Sequence, residues 1–139
     1  MAEAQRPPDS PTAFRRVFSG TPWEPAVGYC RAVRAGQQIF VSGCAPVADG
    51  GGVFAPGDAY GQAKRCLEIA LRALAQLGAG PGHVVRSRMF VTDIARWQEF
   101  GRAHGEVFSA HPPATTMVEV KALIDPQMLI EIELDAVAP

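Results

Sequence analysis

Hydrophobic and polar positions alternate strictly near the end of the chain. Ile130, Ile132, Leu134 and Ala136 fall on one side of an extended backbone, and Glu131, Glu133 and Asp135 on the other. This predicts a half-buried strand over residues 128–137. Residues 115–120 alternate in the same way and predict a neighbouring strand, set off by a turn at Asp125-Pro126. Upstream the period changes. Ala63, Cys66, Leu67, Ile69, Ala70, Leu71, Ala73, Leu74 and Leu77 recur at helical spacing, and Gly78 follows as a stop, so residues 58–77 predict a helix of about five turns. Residues 84–92 read as a strand. Asp93 then caps or precedes a second helix to about residue 110, which His111-Pro112-Pro113 ends. Nearer the start, residues 30–35 and 38–42 form a hairpin across Gly36-Gln37, and residues 15–18 a short first strand.

These elements describe an α+β, two-layer domain with about six mixed strands and two helices on one face of the sheet. The other face stays uncovered and carries apolar side chains, so self-association is expected. Residues 1–13, with Pro7, Pro8 and Pro11 among polar residues, predict a disordered tail, leaving 14–139 as a single domain. The run Asp49-Gly50-Gly51-Gly52 has neither phosphate-loop spacing nor a following Lys-Ser/Thr, and reads as a flexible connection.

Composition narrows the function classes. Across 139 residues, 13 basic side chains oppose 14 acidic ones for a net charge of −1, which provides no electrostatic footprint for nucleic acid or an anionic membrane. The apolar runs are too short to span a bilayer and no secretory signal opens the chain, so a cytoplasmic location is expected. Cys30, Cys44 and Cys66, with His83, His104 and His111, lack metal-ligand spacing; neither a metal nor another cofactor is expected.

Several short motifs, taken in order, carry a resemblance. Gly28-Tyr29, Val41-Ser42-Gly43, Met89-Phe90-Val91, Asp93-Ile94, Pro113-Ala114-Thr115-Thr116-Met117-Val118-Glu119-Val120 and Ile130-Glu131-Ile132-Glu133 resemble the Rid family of reactive-intermediate deaminases, the YjgF-like proteins, over about residues 14–138. The resemblance implies a chorismate-mutase-like subunit, a homotrimer, and a small-molecule ligand held in each of three clefts between neighbours. It also implies hydrolysis or tautomerisation of an imine, enamine or related carbonyl compound. One departure stands out. Where the family carries an arginine that grips the substrate carboxylate, this chain has Thr115, so deamination of 2-aminoacrylate is expected to be poor.

Glu131 matches the family's water-activating glutamate, and a carboxylate partly buried at a cleft can have its pKa raised toward neutrality. As an unaided strand acid it could equally face water, as Asp135 would. Tyr29, Ser42, Gly43, Trp97, Thr115, Thr116 and Met117 line the implied cleft. Arg31, two residues after Tyr29, is expected on the same strand face, where it either replaces the missing arginine or lies at the surface beside Arg34. Trp23 and Trp97, with Met117, favour a larger and more apolar ligand than a three-carbon imine, unless the indoles only pack. Cys44 lacks a partner that would activate it, and a triad on Ser42 and His104 has no elbow motif behind it. The alternative to an enzyme is a non-catalytic, small-molecule-binding or chaperone-like trimer.

Overall fold

The computed structural model describes residues 14–139; the expected tail at 1–13 lies outside the described residues. Six strands, β1 (Arg15–Val17), β2 (Ala32–Ala35), β3 (Gln38–Cys44), β4 (Val84–Val91), β5 (Ala114–Glu119) and β6 (Ile130–Val137), form one sheet in the order β1-β2-β3-β6-β4-β5. All neighbours pair antiparallel except β4 and β5, which run parallel. A parallel pair needs a long crossover, and α3 (Trp97–Phe108) supplies it. The other long helix, α2 (Ala59–Gln76), connects β3 to β4.

The expected elements form for the expected reasons. Asp58 caps α2 by accepting from the Gly61 amide at 2.9 Å. The apolar stripe of α2 buries Ala63, Cys66, Leu67, Ala70, Ala73 and Leu74 against Ile39, Val41, Ile130, Ile132 and Leu134 of the sheet. Burying one such leucine contributes roughly 1.5–3 kcal/mol, so this layer contact dominates the core. The Gly36 backbone turns with φ +63°, as the hairpin requires. Gln62 is fully buried yet satisfied: its amide nitrogen donates to the Ala55 and Gln127 carbonyls, and its oxygen accepts from the Leu129 amide at 2.7 Å.

Three details differ from the sequence reading. A five-residue helix, α1 (Trp23–Val27), stands where no element was expected; Pro22 and Pro25 obscure so short a turn, and its buried anchor, Glu24, is polar. Asp93 caps a single 3₁₀ turn, Ile94–Arg96, through the Ala95 amide, and α3 starts only after it. Strand β2 starts at Ala32, so Tyr29 and Arg31 precede the ladder and do not share a strand face. On the helix-free face, Phe40, Phe90, Val118 and Val137 alternate with Arg88, Glu133 and Asp135. Arg88 pairs with both acids at 3.2 and 3.3 Å. Phe40 and Val118 remain 44% and 42% exposed, so this face carries uncovered apolar surface.

Candidate functional site

The site begins with an irregularity. Along β3 and β6, Val41 pairs with Leu134 but Cys44 with Ile132, so three steps of β3 oppose two of β6 and a bulge falls at Ser42-Gly43. Bulges re-aim side chains, and here the Glu131 carboxylate packs onto Gly43 so closely that a side chain at Gly43 would overlap it. Only glycine leaves that space. Burial raises the Glu131 pKa from its ordinary value, nearby Arg31 opposes the rise, and Glu133 adds to it.

Arg31 is 4% exposed and lies beneath the same bulge. One terminal nitrogen donates to the Gly43 carbonyl at 2.5 Å and stands 3.6 Å from the Cys44 sulfur. The other is 3.4 Å from Glu24 Oε2 and 3.5 Å from the Tyr29 hydroxyl. Its Nε is buried with no hydrogen-bond partner among the described residues. Tyr29 also offers its ring, 5.5 Å from the guanidinium carbon.

Glu24, invisible to the sequence reading, is the counter-charge. It is 2% exposed and accepts from the Ser19 amide, the Ser19 hydroxyl, the Gly20 amide and Arg31. Burial works against its ionised form, but the Ser19 hydrogen bonds and Arg31 outweigh that and hold its pKa below the ordinary value. The signal that could have found it is Ser19-Gly20 ahead of Glu24, a loop poised to wrap a carboxylate.

Tyr29, Arg31, Gly43 and Glu131 meet at a cavity of about 710 Å³ that runs between α1, the loop after β3 and the flank of α2. Phe18, Trp23, Val27, Ile69, Ile124 and Met128 give it apolar walls. The loop wall is held by Arg65, which bonds the Val47 carbonyl and pairs with Asp49. Cys44 is also there, but burial pushes its thiol up to about 11, so it is a poor nucleophile at neutral pH.

The other expected site residues lie elsewhere on the chain. Ser42 turns its hydroxyl to the Cys30 carbonyl at 2.7 Å and borders a separate depression that shares Tyr29. Trp97 is 55% exposed at the start of α3. Met117 packs against the core, whereas Thr116 is exposed. The Thr115 hydroxyl bonds Ser87 at 2.7 Å and lies 3.5 Å from His104 Nε2, which itself bonds Ser87 at 2.7 Å. His104 thus partners Ser87 and not Ser42, and burial lowers its pKa. Among the described residues no group of His, Cys, Asp and Glu is placed to hold a metal, and no helix is long and apolar enough to cross a membrane.

Comparison with known proteins bears on what this arrangement does. The family model described as Endoribonuclease L-PSP matches residues 20–138. The protein SCO2049 of Streptomyces coelicolor is 37% identical over 124 residues, covering 89% of this chain and 92% of that protein. The 3-aminoacrylate deaminase RutC of Acinetobacter baylyi is 32% identical over 113 residues, covering 81% and 88%. Among solved structures, Rv2704 of Mycobacterium tuberculosis, described as a member of the YjgF/YER057c/UK114 family, superposes with a TM-score of 0.82 at 43% identity and covers 90% of this chain and 99% of its own.

Proposed function

The chain belongs to the Rid family, also called YjgF/YER057c/UK114, with its chorismate-mutase-like fold, and from that premise we propose that it is a small-molecule enzyme that hydrolyses or tautomerises an imine, enamine or related carbonyl compound. The observation that carries this reading is the Glu131 carboxylate, half-buried on Gly43 in the lining of a large cavity, with its pKa raised by burial. A carboxylate whose pKa is raised holds a proton more readily than an exposed one, as a general acid/base must. In the hydrolysis, Glu131 accepts a proton from water as the water oxygen adds to the imine carbon, and passes that proton to the nitrogen. It then takes the proton of the new hydroxyl and returns it to the nitrogen as the carbon–nitrogen bond breaks, so that ammonia leaves and the carbonyl remains. An oxygen or nitrogen at the reacting centre would find the Tyr29 hydroxyl and the bulge backbone within the same cavity.

A homotrimer completes this reading, because the apolar surface on the helix-free face needs a partner. In it, Trp97, Thr115, Thr116 and Met117 of one copy would border the cavity of the next. A monomeric mass by light scattering at micromolar concentration overturns that part. The reaction is tested by Glu131→Gln, expected to abolish turnover of imines made in situ while leaving the fold and oligomer unchanged.

One observation favours a second reading. Thr115 is neutral and already engaged with Ser87, so the family's usual grip on a carboxylate is missing. A parent protein inactive toward every imine and enamine tried would make this a binding or chaperone-like member that has kept the cavity without the turnover. The word endoribonuclease in the family description finds no support in a chain of net charge −1.

A further inference from the structure

The charges around the cavity bear on what it holds, and they run against an anion. Arg31 is the cation beside Glu131, and it is buried, with both terminal nitrogens engaged by the Gly43 carbonyl, Tyr29 and Glu24. Its charge is matched by Glu24 before any ligand arrives, and Glu131 stands as a further acid in the same space. Arg65, on the opposite wall, is paired with Asp49 and Glu68. Arg72 lines the cavity from the exposed flank of α2. Thr115 adds no charge. A carboxylate placed on the reacting carbon would therefore sit near Glu131 with no buried cation free to meet it, since Arg72 is exposed and its charge is screened by water, and like charges in a partly desolvated site are costly.

The walls add a second constraint. Phe18, Trp23, Val27, Ile69, Ile124 and Met128 line an open groove of about 710 Å³, in which Phe18, Val27 and Ile124 are more than half exposed. That volume falls within the range of sites for drug-sized ligands, roughly 300–1,000 Å³. A three-carbon imine would leave most of those walls wet. We propose that the cavity takes an imine, enamine or ketone that bears an aromatic or bulky alkyl group and carries no carboxylate on the reacting carbon. This rests on reading the cavity as the site of Rid-type chemistry and specifies the substrate class of that site.

In this arrangement Arg31 is a positioning residue. It ties α1, through Glu24 and Tyr29, to the Gly43 carbonyl, and so holds the bulge on which Glu131 rests. To grip an anion in place of the missing arginine, Arg31 would have to leave these partners.

Isothermal titration calorimetry on the full-length protein at pH 7 tests the proposal with 1-phenylpropan-2-one and phenylpyruvate, which differ in a methyl against a carboxylate at the carbonyl, and with pyruvate as the small anion. The neutral aryl ketone is expected to bind at least about tenfold more tightly than phenylpyruvate, and pyruvate most weakly. Equal or tighter binding of phenylpyruvate, or failure of the ketone to bind, overturns the proposal. The affinity ratio judges the ligand class, whereas turnover by the parent and by Glu131→Gln judges the chemistry, so either can fail while the other stands.

Discussion

Neutralising Glu24 alone should destabilise this protein more than most single substitutions do. The Glu24 and Arg31 side chains are 2% and 5% exposed, with oxygen and nitrogen 3.4 Å apart. At that distance and an effective dielectric near 20, their attraction is about 5 kcal/mol, much of it offset by the desolvation of both groups. Glu24→Gln keeps an oxygen for the Ser19 and Gly20 amides, but removes the charge and puts an amide nitrogen where Oε2 accepts from the Ser19 hydroxyl and Arg31. It leaves a buried guanidinium uncompensated, an outcome that typically costs about 3–5 kcal/mol. Arg31→Met removes the other partner and should cost a similar amount. In the double variant neither charge is stranded, so the loss should fall well short of the sum, with a coupling of about 2 kcal/mol or more. Urea unfolding at one fixed protein concentration and pH 7 measures all four proteins, since self-association would make stability concentration-dependent. A coupling under about 0.5 kcal/mol would show that the two charges are solvated in solution and that Arg31 does not anchor α1.

Acidification tests the same pair, because a carboxyl whose folded pKa is lowered contributes stability that is present above its unfolded pKa and lost as pH falls through the folded value. The parent should therefore lose stability below about pH 4 more steeply than Glu24→Gln, as read from urea midpoints. Glu131 has the opposite sign: its raised pKa means stability present below the unfolded value and lost as pH rises through the folded one. Glu131→Gln should thus unfold at higher urea than the parent at pH 7, and a lower midpoint there would contradict the burial argument. Gly43→Ala should cost about 1 kcal/mol of stability, since the whole carboxyl end of the flexible Glu131 side chain must move aside. It should nonetheless cut kcat by up to about a hundredfold through displacement of that carboxylate, and near-parental kcat would count against Glu131. Under thiol titration at pH 8, Cys44 and Cys66 should stay silent while the native fold lasts; alkylation of Cys44 at the rate of a free thiol would refute the burial that holds its pKa near 11.

The layers of the fold could be read from periodicity because each long element buries a regular stripe. Ile130, Ile132 and Leu134 on β6 and Ala63, Leu67, Ala70 and Leu74 on α2 follow directly from it. Glu131 and Gly43 were also legible, though as separate motifs; that one rests on the other depends on a register shift between distant strands, which no local pattern encodes. Arg31 and Tyr29 do meet, as expected, but through a bend before β2 and not by strand alternation. Glu24 stayed hidden because a buried acid in a one-turn helix between prolines looks like a surface loop until its partner is located. Likewise the pairing of His104 with Ser87 needed the crossover that lays α3 over β4 and β5, a contact set by topology alone.

The cross-strand triplet of Arg88, Glu133 and Asp135 has a consequence for the life of a newly made chain. Its charges partly satisfy one another across β4 and β6, so the unpaired sheet face presents apolar side chains as islands separated by ion pairs, not as one continuous surface. Islands of that kind are slow to nucleate promiscuous aggregation. A protomer emerging from synthesis can therefore stay dispersed with this face bare, because only a surface that matches both its charges and its phenylalanines would cover it well.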